Sequence, residues 1–302
     1  MAPLRGVGVV VAGGDDRETE VIKEFAAQGA KVTVVARPER DRLAGVATTA
    51  GLAEAVTGQA VLCLPISGVA ADGSIRCKFE PQIVVDASAL ARMEPEGLVV
   101  GGPIKSRALV ERIKELGLRH LDLADDDELA VLNAVPTAEG AIQLAMAHLP
   151  VTIHGSKFAV LGLGRTGLTL ARTLRALGAE VWGVARNGVQ LARAKELTVH
   201  PTPWEDLGAL LGCLTGVFNT VPALVLDRRL LAACARECLI IDLASAPGGV
   251  DFAAAEELGI RAELALGLPG KVAPITAGRI LAGILTARIC GHVRHLRLGA
   301  GS

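Results

Sequence analysis

The sequence predicts an α/β protein of two doubly wound parallel-sheet domains, and three observations carry that prediction. First, the chain has 302 residues, room for two domains of about 100–200 residues each. Second, 51% of its residues are hydrophobic but only 2% aromatic, with 35 Gly and no Tyr. A core of Ala, Val, Leu and Ile, with glycine where backbones approach, is the usage of parallel sheets covered by helices on both faces. Third, short apolar runs alternate with helical patterns along both halves, as right-handed strand–helix–strand crossovers require.

The elements follow in order. VGVVVAGG (7–14) reads as a buried strand ending in glycines, 18–28 as a helix and KVTVVA (31–36) as the next strand. AVLCLPIS (60–67) and QIVVDAS (82–88) read as further strands with turns, and the turn-rich ADGS (71–74) separates them. VVGG (99–102) leads into a helix over 106–117. The turn Gly13-Gly14-Asp15-Asp16 lacks dinucleotide spacing and reads either as an anion site or as a domain-building turn. The two halves show no obvious sequence repeat.

Residues 124–149 form the expected hinge. Asp125, Asp126 and Asp127 put negative charge at a helix N-terminus, where the dipole favours it. Pro136 is expected to interrupt the pattern, with a second helix starting at Thr137 and running to Leu149, a natural wall for a cleft.

The second half opens on the strongest motif. KFAVLGLGRTG (157–167) is a strand running into Gly162, Gly164 and Gly167, followed by a helix to Leu177 and a strand over 181–185. This is the dinucleotide fingerprint of a Rossmann-type domain, in its required context. The first glycine makes the turn, the second admits the pyrophosphate and the third packs helix on strand. The helix N-terminus, with Arg165 and Thr166 in its first turn, supplies N–H groups and a dipole for the anion. At the end of the second strand stand Ala185 and Arg186, with no acidic residue. An acid there binds the ribose of NAD, whereas Arg accommodates the 2′-phosphate, so NADP is favoured and NAD stays possible.

Beyond Arg186, 198–200 reads as a short strand, 204–211 as a short helix, 216–223 and 238–249 as strands with loops, and 260–271 as a last strand and loop. A long helix over 272–297 is expected to pack back across the domain interface. The expected division is 1–126 for an N-terminal substrate domain, 127–151 for connecting helices, 152–271 for the NADP-binding domain and 272–302 for the C-terminal helix.

Ligands of open α/β sheets bind at the carboxyl ends of strands, so four loops matter. They carry Ser67; Asn219, Thr220, Val221 and Pro222; Asp242 and Ser245; and Pro269, Gly270 and Lys271. Asp242 ends a buried strand and reads either as a base with a raised pKa or as a structural cap. His154 reads either as a site residue or as a structural one. His292 and His295, among Arg288, Arg294 and Arg297, read as a solvated basic tail.

The net charge of −1 and the lack of a basic run argue against a nucleic-acid surface. No apolar run is read as reaching the roughly 18–20 uncharged residues of a membrane span. The N-terminus lacks a signal-peptide layout. The six cysteines show no zinc-type pairing, so no metal is expected, and they read as reduced thiols of a cytoplasmic protein.

NAVPTAEGAIQLA, TIHGSKFAVLGLGRTG, FNTVPALVL, IDLASAPGGVDF and LGLPGKVAPITAGRIL resemble the dipicolinate synthase A-subunit family, in order from Asn133 to Leu281. VAGGDDRE, LPIS and the region of Asp86 extend the resemblance more weakly. It implies NAD(P)-dependent oxidation of dihydrodipicolinate to dipicolinate in the mother cell of a sporulating bacterium, by a homo-oligomer working with a flavoprotein-like B subunit. The substrate-binding set is then Ser67, Asn133, Thr137, His154 and Ser156, and Glu139, Asp242 or water takes the proton. The cofactor set is Gly162, Gly164, Arg165, Thr166, Gly167, Ala185, Arg186, Thr220, Val221, Pro222, Asp242 and Ser245. Two other readings stand beside this one. A 2-hydroxyacid dehydrogenase shares the two-domain plan, but its chemistry wants a His base in the C-terminal half, and between His200 and His292 there is none. A protein that binds NADP without turnover is the other.

Overall fold

Short β-rich apolar runs bounded by glycine form strands here, and the stretches between them with one apolar face form the covering helices. The structure is a computed structural model and describes residues 3–38, 43–79 and 83–299. In chain order the first elements are β1 (Gly8–Ala12), α1 (Asp16–Ala27), β2 (Lys31–Val35), β3 (Val46–Thr49), α2 (Leu52–Ala55), β4 (Val61–Cys63), β5 (Ser74–Ile75) and β6 (Ile83–Val84). Then come α3 (Ala87–Leu90), β7 (Leu98–Gly101), α4 (Arg107–Glu115), β8 (Arg119–Asp122) and α5 (Asp127–His148). The later elements are β9 (Lys157–Leu161), α6 (Arg165–Ala176), β10 (Glu180–Ala185), α7 (Gly188–Glu196), β11 (His200–Pro203), α8 (Leu207–Leu210), β12 (Gly216–Asn219) and α9 (Arg228–Leu231). They close with β13 (Leu239–Asp242), α10 (Phe252–Leu258), β14 (Arg261–Leu264), α11 (Leu268–Val272) and α12 (Pro274–Gly299).

The chain forms two units, Met1–Leu129 with Pro274–Ser302, and Ala130–Ala273. Each holds a six-stranded sheet with the same order, β3-β2-β1-β4-β7-β8 in the first and β11-β10-β9-β12-β13-β14 in the second. Every pair in both sheets is parallel. The winding direction reverses between β1 and β4, and between β9 and β12. Each unit therefore has one switch point at the carboxyl ends of its central strands, where doubly wound sheets open a crevice. Core runs through both faces: Val9, Val11 and Phe25 lie on one side of the first sheet, Val10, Leu62 and Leu90 on the other.

Several expectations need correction. QIVVDAS does not join the main sheet. Only Ile83–Val84 is extended, antiparallel to Ser74–Ile75, and Gln82 lies outside the described residues. Besides β5, two strands of the main sheet escaped the sequence reading, VATT of β3 and RHLD of β8. Both are edge strands with half-exposed side chains, so they carry little apolar signal. LPGKV, read as loop, is the helix α11 with Pro in its first turn, where a missing N–H costs nothing.

The hinge is one helix of 22 residues with Pro136 inside it. Proline removes one helical bond, but Ala138, Ala141, Ile142 and Ala145 bury against Phe158 and Leu170 and hold the turns beyond it. The most apolar stretch of α5 reaches a mean hydropathy of 1.2, enough by length and composition to cross a membrane, contrary to the sequence reading. Within that stretch 44% is buried, and Val131, Leu132, Val135 and Met146 of the same helix are exposed.

α12 belongs to the first unit. Leu281, Ala282, Leu285 and Ile289 bury in one cluster with Val21, Ile22 and Phe25. A Cβ on Gly278 would stand 2.6 Å from the Arg17 carbonyl oxygen, so the two helices meet at a glycine. Arg288 reaches Asp126 at 2.8 Å and Glu128 at 3.1 Å. The basic tail is thus partly inward: His292 is buried, and burial, then Arg119, lower its pKa. The side chain of Arg297 lies outside the described residues.

Candidate functional site

The second unit's switch point is built by the three glycines. Gly162 has φ +83°, a left-handed conformation that suits glycine, and its N–H donates to the Val184 carbonyl at 2.9 Å. Gly167 is buried, and a Cβ there would stand 1.9 Å from the Gly162 carbonyl oxygen. The Thr220 hydroxyl donates to the carbonyls of Leu161 and Gly162 at 2.9 and 3.1 Å and pins the turn to the loop after β12. Gly164 is the N-cap of α6, with no side-chain cap and nothing within 4 Å of a Cβ position. The first N–H groups of α6 therefore face an uncovered space at the positive end of the helix dipole, with Arg165 and Thr166 in the first turn. A dinucleotide pyrophosphate fits that cradle.

At the end of β10, Ala185 is buried and Arg186 exposed. The Arg186 guanidinium lies over the Trp204 ring, 5.2 Å from its centroid. That stack holds a cation beside the strand end, and among the described residues no carboxylate forms an ion pair with it. Asn187 is the N-cap of α7, accepting from the N–H groups of Val189 and Gln190.

Asp242 is wholly buried, as is Asn219, its partner in register on the neighbouring strand. Its Oδ1 accepts from Asn219 Nδ2 at 2.8 Å and from the Ala244 N–H at 3.0 Å, and its Oδ2 from the Gly249 N–H at 2.8 Å. Asn219 also closes its own loop, Nδ2 donating to the Val221 carbonyl and Oδ1 accepting from the Val221 N–H, each at 3.0 Å. The pair ties two carboxyl-end loops together, and their outer surface presents Pro222 and Ser245. Of the two sequence readings of Asp242, this geometry supplies the cap. Asn219 was placed at a strand end by the sequence, but its bond to Asp242 was not foreseen. The available signal was that each is the polar last residue of an apolar strand.

The remaining residues are not gathered there. His154 and Ser156 precede β9, at the opposite edge of the sheet from Gly162 and about 20 Å along the strand direction. The Ser156 hydroxyl donates to the Thr152 carbonyl at 2.5 Å. His154 packs over Gly178, whose Cβ would stand 2.1 Å from His154 Nδ1. Glu139 is exposed on α5. Two residues earlier the Thr137 hydroxyl donates to the Asn133 carbonyl at 2.7 Å, and Asn133 Oδ1 is buried with no hydrogen-bond partner among the described residues.

The first unit's switch point is filled by its own side chains. Asp15 caps α1, and Glu18 Oε2 accepts from the Asp15 N–H at 2.7 Å while Oε1 accepts from the Ile66 N–H at 3.3 Å. Arg37 Nη1 donates to the carbonyls of Gly13 and Asp15 at 2.9 and 2.7 Å. Burial, then Asp15, raise the pKa of Glu18. Burial would raise that of Asp15 too, but its bonds to Arg17 hold it below the usual carboxylate range. Ser67 lies beyond, on the rim of a cleft of about 670 Å³ after β4.

Residues 8–124 match the family model of the N-terminal domain of the dipicolinate synthase A subunit. The chain is 39% identical to the dipicolinate synthase A subunit of Bacillus subtilis (strain 168) over 285 residues, 94% of this chain and 96% of that one. It superposes on the crystal structure of the dipicolinate synthase A subunit from Bacillus halodurans with a TM-score of 0.88, at 37% identity over 95% of this chain and 98% of that one. A transhydrogenase from Sinorhizobium meliloti shares the fold at a TM-score of 0.70 and 15% identity, covering 94% of each chain.

Proposed function

The chain belongs to the dipicolinate synthase A-subunit family, and we propose that it oxidises dihydrodipicolinate to dipicolinate with NADP in the mother-cell cytoplasm of a sporulating bacterium. The observation that carries the redox part is the open N-terminus of α6, with Gly164 uncapped and Gly167 pressed on Gly162. Gly162, Gly164, Gly167, Thr220 and the first turn of α6 would hold the dinucleotide, and Arg186 its 2′-phosphate. Bound there, the nicotinamide supplies a hydride acceptor. Dihydrodipicolinate and NADP⁺ then give dipicolinate, NADPH and one proton.

The product ring is aromatic, so the protein's work is to orient the ring and let a proton leave. Asp242 serves this by holding two loops still. Its oxygens already accept three N–H bonds, from Asn219, Ala244 and Gly249. Glu139 or solvent takes the proton. Its relatives are named as one subunit of a synthase, which supports action with a second one, and we take that second one to be a flavoprotein-like B subunit.

The test generates the heterocycle in situ from aspartate semialdehyde and pyruvate with the upstream synthase. This chain is added with NADP or NAD, with and without the B subunit. Dipicolinate accumulating in step with reduced cofactor, faster with NADP, is the expected result. No product above the spontaneous background, even with the partner, would overturn the reaction and favour a nucleotide-binding role. In the same assay Glu139→Gln lowers turnover at unchanged cofactor affinity if Glu139 is the base, and unchanged turnover leaves the proton to solvent. Asp242→Asn lowers stability by about 2 kcal/mol, because the amide NH2 that replaces Oδ2 cannot accept from the buried Gly249 N–H. A urea titration measures this.

A further inference from the structure

We propose that the cleft after β4 in the first unit is a binding site for a small aromatic dicarboxylate, with Arg76 and Lys105 as its cationic anchors. The ligand class rests on the reaction proposed above. The site itself rests on the cleft's own residues. Its volume, about 670 Å³, falls within the range of about 300–1,000 Å³ usual for small-ligand sites. Gly68, Ala70 and Ala71 form part of the lining and leave room, and Ser67 and Ser74 add hydroxyls.

The charge on this lining is one-sided. Arg76 and Lys105 are both exposed to the cleft. Among the described residues no carboxylate pairs with either one. The nearby acids are engaged elsewhere. Asp72 accepts from the Ser74 N–H and hydroxyl at 2.9 and 2.6 Å, Asp16 pairs with Lys78 at 2.5 Å, and Glu18 is buried in the α1 turn. Two unpaired cations in one cleft match a dianion in charge, and guanidinium binds carboxylate in bidentate fashion.

Both anchors stand on backbone that is already locked. The Val69 N–H donates to the Pro103 carbonyl and the Lys105 N–H to the Val69 carbonyl, each at 2.9 Å. A Cβ on Gly68 would stand 2.3 Å from the Pro103 carbonyl oxygen, so the two loops touch through glycine. The Gly14 N–H donates to the Arg76 carbonyl at 2.8 Å, which fixes the Arg76 segment to the turn after β1. A preorganised site spends little on ordering its anchors. The location also fits: the cleft lies by the carboxyl end of β4, beside the switch point. Glu18 and Arg37 fill the place a dinucleotide would take, so a ligand of this unit is small.

The experiment is isothermal titration of the full chain with dipicolinate, the product, using pyridine-2-carboxylate and inorganic phosphate as controls. Saturable binding of dipicolinate is expected. It should weaken about tenfold or more in Arg76→Gln and in Lys105→Gln, the usual scale for loss of a charged carboxylate contact. Pyridine-2-carboxylate should bind more weakly than dipicolinate, and NADP affinity should not change in either variant. No saturable binding, equal binding of phosphate, or dipicolinate affinity unmoved in both variants overturns the proposal. Turnover separates the two readings. Wild-type turnover with an unchanged KM in both variants sinks this site and leaves the reaction standing. Binding that depends on Arg76 and Lys105 without turnover sinks the reaction and leaves the site.

Discussion

Gly13 follows β1 as Gly162 follows β9, with φ +60° and +83°, and each donates its N–H to the neighbouring strand at 2.9 Å, to Val35 and to Val184. Counting onward from these two glycines, Asp15 matches Gly164 and Glu18 matches Gly167. By strand register Arg37 matches Arg186. The backbone plan is shared, but the contents differ. In the first unit Asp15 caps the helix, Glu18 stands where the third glycine would be, and Arg37 folds over the turn. In the second unit the cap is bare, the third position is glycine and Arg186 lies outward on Trp204. A doubly wound sheet makes a crevice by topology alone. Side chains at three positions decide whether the protein itself fills that crevice or leaves it open.

The largest expected effect comes from closing the open switch point. Gly167→Ala puts a methyl group 1.9 Å from a backbone carbonyl. Overpacking against backbone costs about 3 kcal/mol or more, and NADP affinity should fall about a hundredfold or beyond detection. Titration calorimetry and a thermal melt read both, and wild-type affinity in this variant would break the comparison.

Gly164→Asp copies the first unit's cap into the second. Its φ is ordinary at −80° and its Cβ position is open. The carboxylate should stabilise α6 by about 0.3–1 kcal/mol while repelling the pyrophosphate, weakening NADP about tenfold or more. Opposite signs for stability and affinity are the signature to look for. A gain in both would mean that the anion does not sit at this helix end.

Arg186→Ala should weaken NADP about tenfold and leave NAD nearly unchanged. The comparison of the two dissociation constants checks this, and an equal loss for both cofactors would assign Arg186 to packing on Trp204.

The smallest effect belongs to Glu18→Gln and appears in the pH profile. The raised pKa of Glu18 means that its contribution is fully present below the ordinary value of 4.5 and is lost as pH climbs through the raised value. Asp15 has the opposite sign: its contribution is present above 3.8 and is lost as pH falls through its lowered value. Urea titrations from pH 4 to pH 8 should show a decline in the wild type above about 4.5 that flattens in Glu18→Gln. Equal slopes in the two proteins would mean that Glu18 is not the buried acid.

Much of this site was legible in the chain itself. Turns and strand ends are local, so GLGRTG between an apolar strand and a helix declares the open switch point, and Arg186 declares its lack of an acid. The alternation of strands and helices declares two parallel sheets, because crossover geometry admits few alternatives. Features that depend on register were hidden. Asp242 reads alone as a base or a cap until β12 and β13 pair and set Asn219 against it. Glu18 reads only as the start of a helix until β4 brings the Ile66 N–H to its carboxylate. His154 and Ser156 adjoin the fingerprint in sequence, yet a strand separates neighbours by about 3.3 Å per residue and carries them to the far edge. Pro136 breaks a helix in isolation, but burial of the turns beyond it keeps α5 whole. Local chemistry determined which segments bend and which extend. Only the tertiary packing decided which polar ends meet and which are left open to a ligand, because a hydrogen bond between distant residues exists only after the sheets have set their register.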